Sequence, residues 1–137
     1  MTQRTERRPA LRVIIKNSSD LPIYEQIKEQ VKQAILNDEL DEGDALPSIR
    51  QLASDLKVSV ITTTRSYGEL EQEGFIVNVP GKGCYVAPKD SDLIREQLLR
   101  KIEDNLSQAI DAARIARLSR AELQHLFDFT LKGTNYE

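Results

Sequence analysis

Apolar residues recur at helical spacing at Ile23, Ile27, Val31, Ala34 and Ile35, which predicts an amphipathic helix over Pro22–Asn37 with Pro22 suited to its first position. Two more helix starts lie within Leu46–Gly74, LPSIRQLASDLKVSVITTTRSYGELEQEG. Ser48 and Gln51 make a capping-box pattern ahead of an apolar run, Ser59 is a second N-cap, and Gly74 is a natural stop. The predicted helices are Ser48–Leu56 and Val60–Glu73, joined by a turn of about four residues. After Gly74 the period shortens. Phe75–Val79 and Cys84–Val86 are strand-like and flank Pro80-Gly81-Lys82-Gly83, a hairpin with a glycine-rich tip. Arg12–Lys16 (RVIIK) also reads as a short strand, followed by a polar loop at Asn17–Asp20. Asp38–Asp44, acidic and containing Gly43, reads as a loop, and Pro88–Asp92 as a linker.

Beyond the linker, Leu99, Ile102, Leu106, Ala109, Ala113 and Ala116 alternate three and four residues apart, a heptad seam widened by Leu98 and Ile110. Its alanines would let a partner helix approach closely. Ser119 and Glu122 make another capping box, with Leu118 and Leu123 at staple positions. The last helix is predicted to run to Lys132, with Leu123, Leu126, Phe127 and Leu131 on its apolar face and Gly133 at its end. The fold class is therefore mainly α with a small β-hairpin. Two helices joined by a tight turn can place the second in a DNA major groove, and a hairpin directly after them makes the wing of a winged helix-turn-helix. The expected organisation is a flexible basic arm over residues 1–11, a winged helix-turn-helix DNA-binding domain over 12–88, and a two-helix dimerisation tail over 89–137. The seam predicts a homodimer; the alternative is an intramolecular hairpin with Leu123–Leu131.

Charge changes this picture by its distribution. The net charge is −3, yet residues 1–20 carry five basic and two acidic groups, while residues 21–45 carry two basic and seven acidic groups. A DNA-binding face need not share the global sign, but few phosphate contacts per subunit are expected, which again favours a dimer. Apolar runs do not exceed four residues, so no segment is expected to span a membrane, and the N-terminus lacks an apolar signal core. One cysteine, Cys84, excludes an internal disulfide, and one histidine, His125, far from it, leaves no structural zinc site. A cytoplasmic protein without metal or cofactor is the simplest reading. An enzyme is disfavoured: a single histidine supplies no Ser/His/Asp set, and Gly81-Lys82-Gly83 lacks the rest of a phosphate-binding loop.

The pattern Pro22-Ile-Tyr-Glu-Gln-Ile27, Leu46-Pro-Ser-Ile-Arg50-Gln-Leu-Ala53, Tyr67-Gly-Glu-Leu-Glu71-Gln-Glu-Gly74 and Gly81-Lys-Gly83 resembles the GntR family of bacterial transcriptional regulators over residues 12–88. The short two-helix tail is similar to the YtrA-type branch. The resemblance implies a dimer built mainly by the tail that binds an inverted-repeat operator in double-stranded DNA and represses an operon, with transport genes frequent targets. A small-molecule effector would sit between the tail helices and the DNA-binding domain, although no tail residue specifies one. The competing reading is a winged-helix protein–protein module without DNA binding.

On a wheel of the Val60–Glu73 helix, Thr63, Ser66, Tyr67 and Leu70 share one face and should pack inward, while Ile61, Thr64, Arg65, Gly68 and Gln72 face outward. Arg65 is a candidate phosphate or guanine contact. The resemblance implies that Arg50 reaches DNA, and Ser48 can donate to a phosphate near its helix start. Val60 and Ile61 could cover thymine methyls, with Thr62 and Thr64 beside them, or could instead pack on a neighbouring subunit or the wing. Lys82 at the hairpin tip can reach a phosphate or the minor groove. The expected DNA-facing set is Ser48, Arg50, Ser59, Val60, Ile61, Thr62, Thr64, Arg65, Gly81, Lys82 and Gly83. Arg4, Arg7, Arg8 and Arg12 would add attraction from the arm. Four positions depart from the family pattern. Val60 and Thr64 stand where other members carry arginine, so their guanine readout does not transfer. Lys57 stands where a turn glycine is common, and Thr63 replaces an aliphatic core residue.

Overall fold

The computed structural model describes residues 11–136. Its elements are α1 (Ile23–Leu36), α2 (Ile49–Leu56), α3 (Val60–Gln72), β1 (Ile76–Val79), β2 (Gly83–Val86), α4 (Asp92–Ile115) and α5 (Arg120–Lys132). The chain forms two compact units, one ending at Glu96 and the other beginning at Gln97. The basic arm with Arg4, Arg7 and Arg8 lies outside the described residues.

In the first unit α3 packs against α1, α2 and β1. The apolar stripe of α1 supplies Ile27, Val31 and Ile35 to the core; Leu52, Leu70, Phe75, Ile76, Val86 and Ile94 close around it, all buried. Pro22 is the N-cap of α1 rather than its first helical residue, and its carbonyl accepts from the Glu25 and Gln26 N–H groups. At α2, Ser48 Oγ accepts from the Gln51 N–H, but the Gln51 side chain donates to Asp55 instead, so only half the capping box forms. Lys57 ends α2 in the left-handed region at φ 58° and ψ 47°, a conformation that costs a non-glycine residue about 1 kcal/mol or more.

The strand expected over Arg12–Lys16 does not form. Its backbone partners are instead two side-chain amides on α1. Gln30 accepts from the Ile14 N–H at 2.9 Å and donates to the Ile14 carbonyl at 2.8 Å; Gln26 does the same for Lys16 at 2.8 and 3.0 Å. One turn apart on the helix, the two glutamines grip alternate residues as a neighbouring strand would. Exposed and half-buried positions alternate from Arg12 to Lys16 as in a strand, and the hydrogen bonds of Ile14 and Lys16 go to side chains.

The hairpin pairs Ile76 with Val86 and Val79 with Gly83. Gly81 and Gly83 have φ of +78° and +121°, which is why the tip needs glycine. The end of the segment expected as loop, Gly43 and Asp44, continues through Ala45 and Leu46 along the other edge of β2, with 2.9 Å bonds from Gly43 N–H to the Val86 carbonyl and from Leu46 N–H to the Cys84 carbonyl. Cys84 is buried on β2, and burial, reinforced by Glu71, pushes its thiol up.

The second unit holds most of α4 and all of α5. Arg117 reverses the chain at φ 62°, and Ser119 with Glu122 forms both bonds of its capping box, at 3.0 and 2.8 Å. Of the heptad seam only Ala113 is buried; Leu99, Ile102 and Leu106 remain 44–52% exposed.

Gly74 carries two constraints. It sits at φ +86°, and a Cβ there would come within 2.5 Å of Leu93 Cδ1 in the first turn of α4. Gly74→Ala is expected to lower unfolding free energy by about 2–4 kcal/mol in urea titrations. A loss below about 0.5 kcal/mol would show that neither constraint holds.

Candidate nucleic-acid interface

The site is built on α3. Its buried face carries Thr63, Ser66, Tyr67 and Leu70, and its hydroxyls are all used. Thr63 Oγ1 donates to the carbonyls of Ile49 and Val60, both at 3.1 Å; Ser66 Oγ donates to the Tyr24 carbonyl at 2.8 Å; Tyr67 OH donates to the Pro47 carbonyl at 2.7 Å. Burial pushes the Tyr67 phenol well above the ordinary tyrosine range. The odd hydroxyl at position 63 therefore ties α3 to the start of α2.

The opposite face is open. Ile61 is 80% exposed and Val60 41%, with Thr64, Gly68 and Gln72 also exposed and Thr62 half-buried. A Cβ on Gly68 would meet nothing within 4 Å, so no contact inside the chain demands glycine there. Ser59 caps α3 by accepting from the Ile61 N–H at 3.0 Å. Arg50 and Lys57 near the ends of α2, and Lys82 between Gly81 and Gly83 at the hairpin tip, are exposed and have no ion-pair partner among the described residues. Lys28, Lys32, Arg65 and Lys89 of the same unit are, by contrast, ion-paired.

Arg65 is placed differently from Arg50. It lies on the outward face, 58% exposed, but its Nε pairs with Glu69 at 3.1 Å and its guanidinium stacks on the Tyr24 ring at 3.7 Å. Glu69 also takes Lys28 at 3.0 Å; Lys28 reaches Glu73 at 2.7 Å, and Glu73 takes Lys32 at 3.2 Å. This chain of alternating charge joins α1 to α3. Sequence reading missed it, although the signal existed: Lys28 and Lys32 are spaced four apart on α1, as are Glu69 and Glu73 on α3. Hydrogen bonds to Lys28 and then Arg65 hold the Glu69 carboxyl below its ordinary value of 4.5. Burial pushes Glu73 up, but its bonds to Lys28 and Lys32 outweigh burial and the net shift is down. The bond to Glu73, helped by Glu69 and opposed by burial, holds the Lys28 ammonium well above the usual lysine range.

Among the described residues no His, Cys, Asp and Glu group is placed to hold a metal ion, and no helix is long and apolar enough to cross a membrane. The arrangement offers a held helix, its outer face and a cationic hairpin tip.

The family model for bacterial regulatory proteins, gntR family, matches residues 23–86. The HTH-type transcriptional repressor YtrA of Bacillus subtilis (strain 168) is 35% identical over 105 residues, 77% of this chain and 81% of that protein. The structure of YtrA from Sulfolobus acidocaldarius, a GntR-family transcription factor, is similar with a TM-score of 0.56 at 34% identity, over 90% of this chain and 100% of that one. AraR(DBD) in complex with operator ORX1 is similar over 56% of this chain and 96% of its own, with a TM-score of 0.50 at 28% identity.

The shifts in the α1–α3 network set a pH dependence. Both glutamates are shifted down, so their contribution to stability is whole above about pH 4.5 and is lost as pH falls through their lower folded values. Lys28 is shifted up, so its contribution is whole below 10.5 and is lost only at higher pH. Urea midpoints should hold from neutral pH to mild acid and then fall, and Glu73→Gln should flatten that fall. An unchanged acid slope in Glu73→Gln would place its source elsewhere.

Proposed function

The chain belongs to the GntR family of bacterial regulatory proteins, and on that footing we propose that it acts as a dimeric, sequence-specific repressor of transcription. It is a DNA-binding transcriptional regulator and not an enzyme. The observation that carries the finer reading is α3 itself. Its buried hydroxyls fix it to α1 and to the segments around the start of α2, while Ile61, Thr64 and Gly68 stay open to a groove. Repression is supported by the likeness to the B. subtilis repressor YtrA, and duplex DNA as partner by the likeness to AraR(DBD) on its operator.

Ser48, Arg50, Ser59, Val60, Ile61, Thr62, Thr64, Arg65, Gly81, Lys82 and Gly83 remain the proposed contact set. Within it the roles divide. Ser48 and Ser59 hydroxyls already accept from their own helices, and each still has a proton to donate to a phosphate. Arg50 and Lys82 meet phosphate as free charges. The domain over 12–88 carries these groups, and the tail over 89–137 is proposed to bring two copies together in the cytoplasm.

Dimerisation rests on the apolar seam of α4. Leu99, Ile102 and Leu106 are half exposed at heptad spacing, with Ala109, Ala113 and Ala116 continuing the line. A second copy is self-complementary to such a seam, and a two-fold dimer matches an inverted repeat.

Two measurements test this. Arg50 and Lys82, the two contact-set cations without a carboxylate partner, give four in a dimer, so log Kd for operator-length duplex should change with log salt at a slope of roughly 4 in magnitude. Flat salt dependence would favour a protein–protein module instead. Leu106→Asp should sediment as a monomer with its helical circular dichroism intact; a mutant that stays dimeric would remove the seam as the interface.

A further inference from the structure

Resting on the DNA-binding reading above, we infer that the first turn of α3 reads thymine through its C5 methyl group, with Ile61 as the specificity-determining contact and Val60 beside it. At 80% exposure Ile61 is the most exposed large apolar side chain described in the first unit. The chain gains nothing from it internally, because a β-branched residue is a mediocre helix former and this one covers no core. For contact it is well suited, since in a helix its χ1 is nearly fixed and little freedom is lost on docking.

The chemistry around it narrows the target. Guanine in the major groove is read by Arg or Lys and adenine by Asn or Gln. The first turn, Val60-Ile61-Thr62-Thr64 with Thr63 buried, carries neither. The only cation of α3 is Arg65, and its guanidinium is already engaged by Glu69 at 3.1 Å and by the face of Tyr24 at 3.7 Å. The only amide near the helix end is Gln72, roughly 16 Å further along the axis than Ile61. Methyl groups and hydroxyls are what this turn presents, and the thymine methyl is the one apolar group on a major-groove base edge. A protein partner would call for a contiguous apolar patch, whereas the neighbours of the Val60–Ile61 pair are Ser59, Thr62 and Thr64.

The test uses the full chain. Duplexes are selected from a random library, and each thymine of the selected site is replaced singly by deoxyuridine, which removes the methyl and keeps every hydrogen-bonding group. Binding is read by fluorescence anisotropy for the wild type and for Ile61→Ala, a change at an exposed position that leaves the fold intact. In the wild type, one or two replacements per half-site should weaken binding roughly three- to five-fold. Ile61→Ala should bind thymine and uracil duplexes alike at those positions, with its salt slope unchanged. Selected duplexes that tolerate uracil throughout, or an Ile61→Ala protein that still discriminates, would overturn the inference while leaving DNA binding in place. A library that yields no enriched duplex would overturn both.

Discussion

Thr63, Ser66 and Tyr67 each donate a hydroxyl hydrogen bond from the buried face of α3 to a backbone carbonyl in another segment, those of Ile49, Tyr24 and Pro47. Apolar packing alone is non-directional and would let α3 slide or rotate within the core. A hydrogen bond is directional, and one left unmade in the interior costs about 1–3 kcal/mol. Three such bonds on one helical face leave α3 a single seat. The exposure of Ile61 and the burial of Leu70 follow from that seat, as does the direction in which the chain leaves Gly74 for the hairpin.

A second set of contacts reinforces the same junction from its rim. Lys28, Lys32 and Arg65 alternate with Glu69 and Glu73 along the meeting line of α1 and α3. Taken singly, exposed ion pairs contribute little, about 0–1 kcal/mol each. Their larger effect here is on charge accounting. With Glu29, which also reaches Lys32 at 3.6 Å, the cluster holds three cations and three carboxylates and sums to zero, so the net charge of −3 is carried by the rest of the chain. Arg50 and Lys82, by contrast, have no carboxylate partner among the described residues and are exposed.

Much of this was legible in the sequence because it depends on short-range patterns. The stripe Ile23–Ile35, the N-caps Ser48, Ser59 and Ser119 and the stop at Gly74 are local signals, and each marks the boundary it predicts within a residue or so. The hairpin follows for the same reason. What could not be read were features that depend on which distant group arrives as partner. RVIIK has a strand's run of β-branched residues, but Gln26 and Gln30 occupy the place of the neighbouring strand. The capping-box pattern at Ser48 cannot show that Asp55 outcompetes the backbone for Gln51. Arg65 is outward on any helical wheel, and only the fold shows that Tyr24 and Glu69 are waiting for it. The first compact unit also runs past the linker to Glu96, because Ile94 is fully buried and Leu93 lies against Gly74.

The buried thiol of Cys84 has a practical consequence. It is the chain's only cysteine, it lies on β2 with 7% exposure, and burial pushes its thiol pKa up, away from the nucleophilic thiolate. A thiol-specific reagent can therefore reach it only when local opening around β2 exposes the sulfur. The rate of labelling at that one sulfur is a built-in clock for the opening of the wing, readable on the unaltered protein and directly comparable with and without a bound duplex.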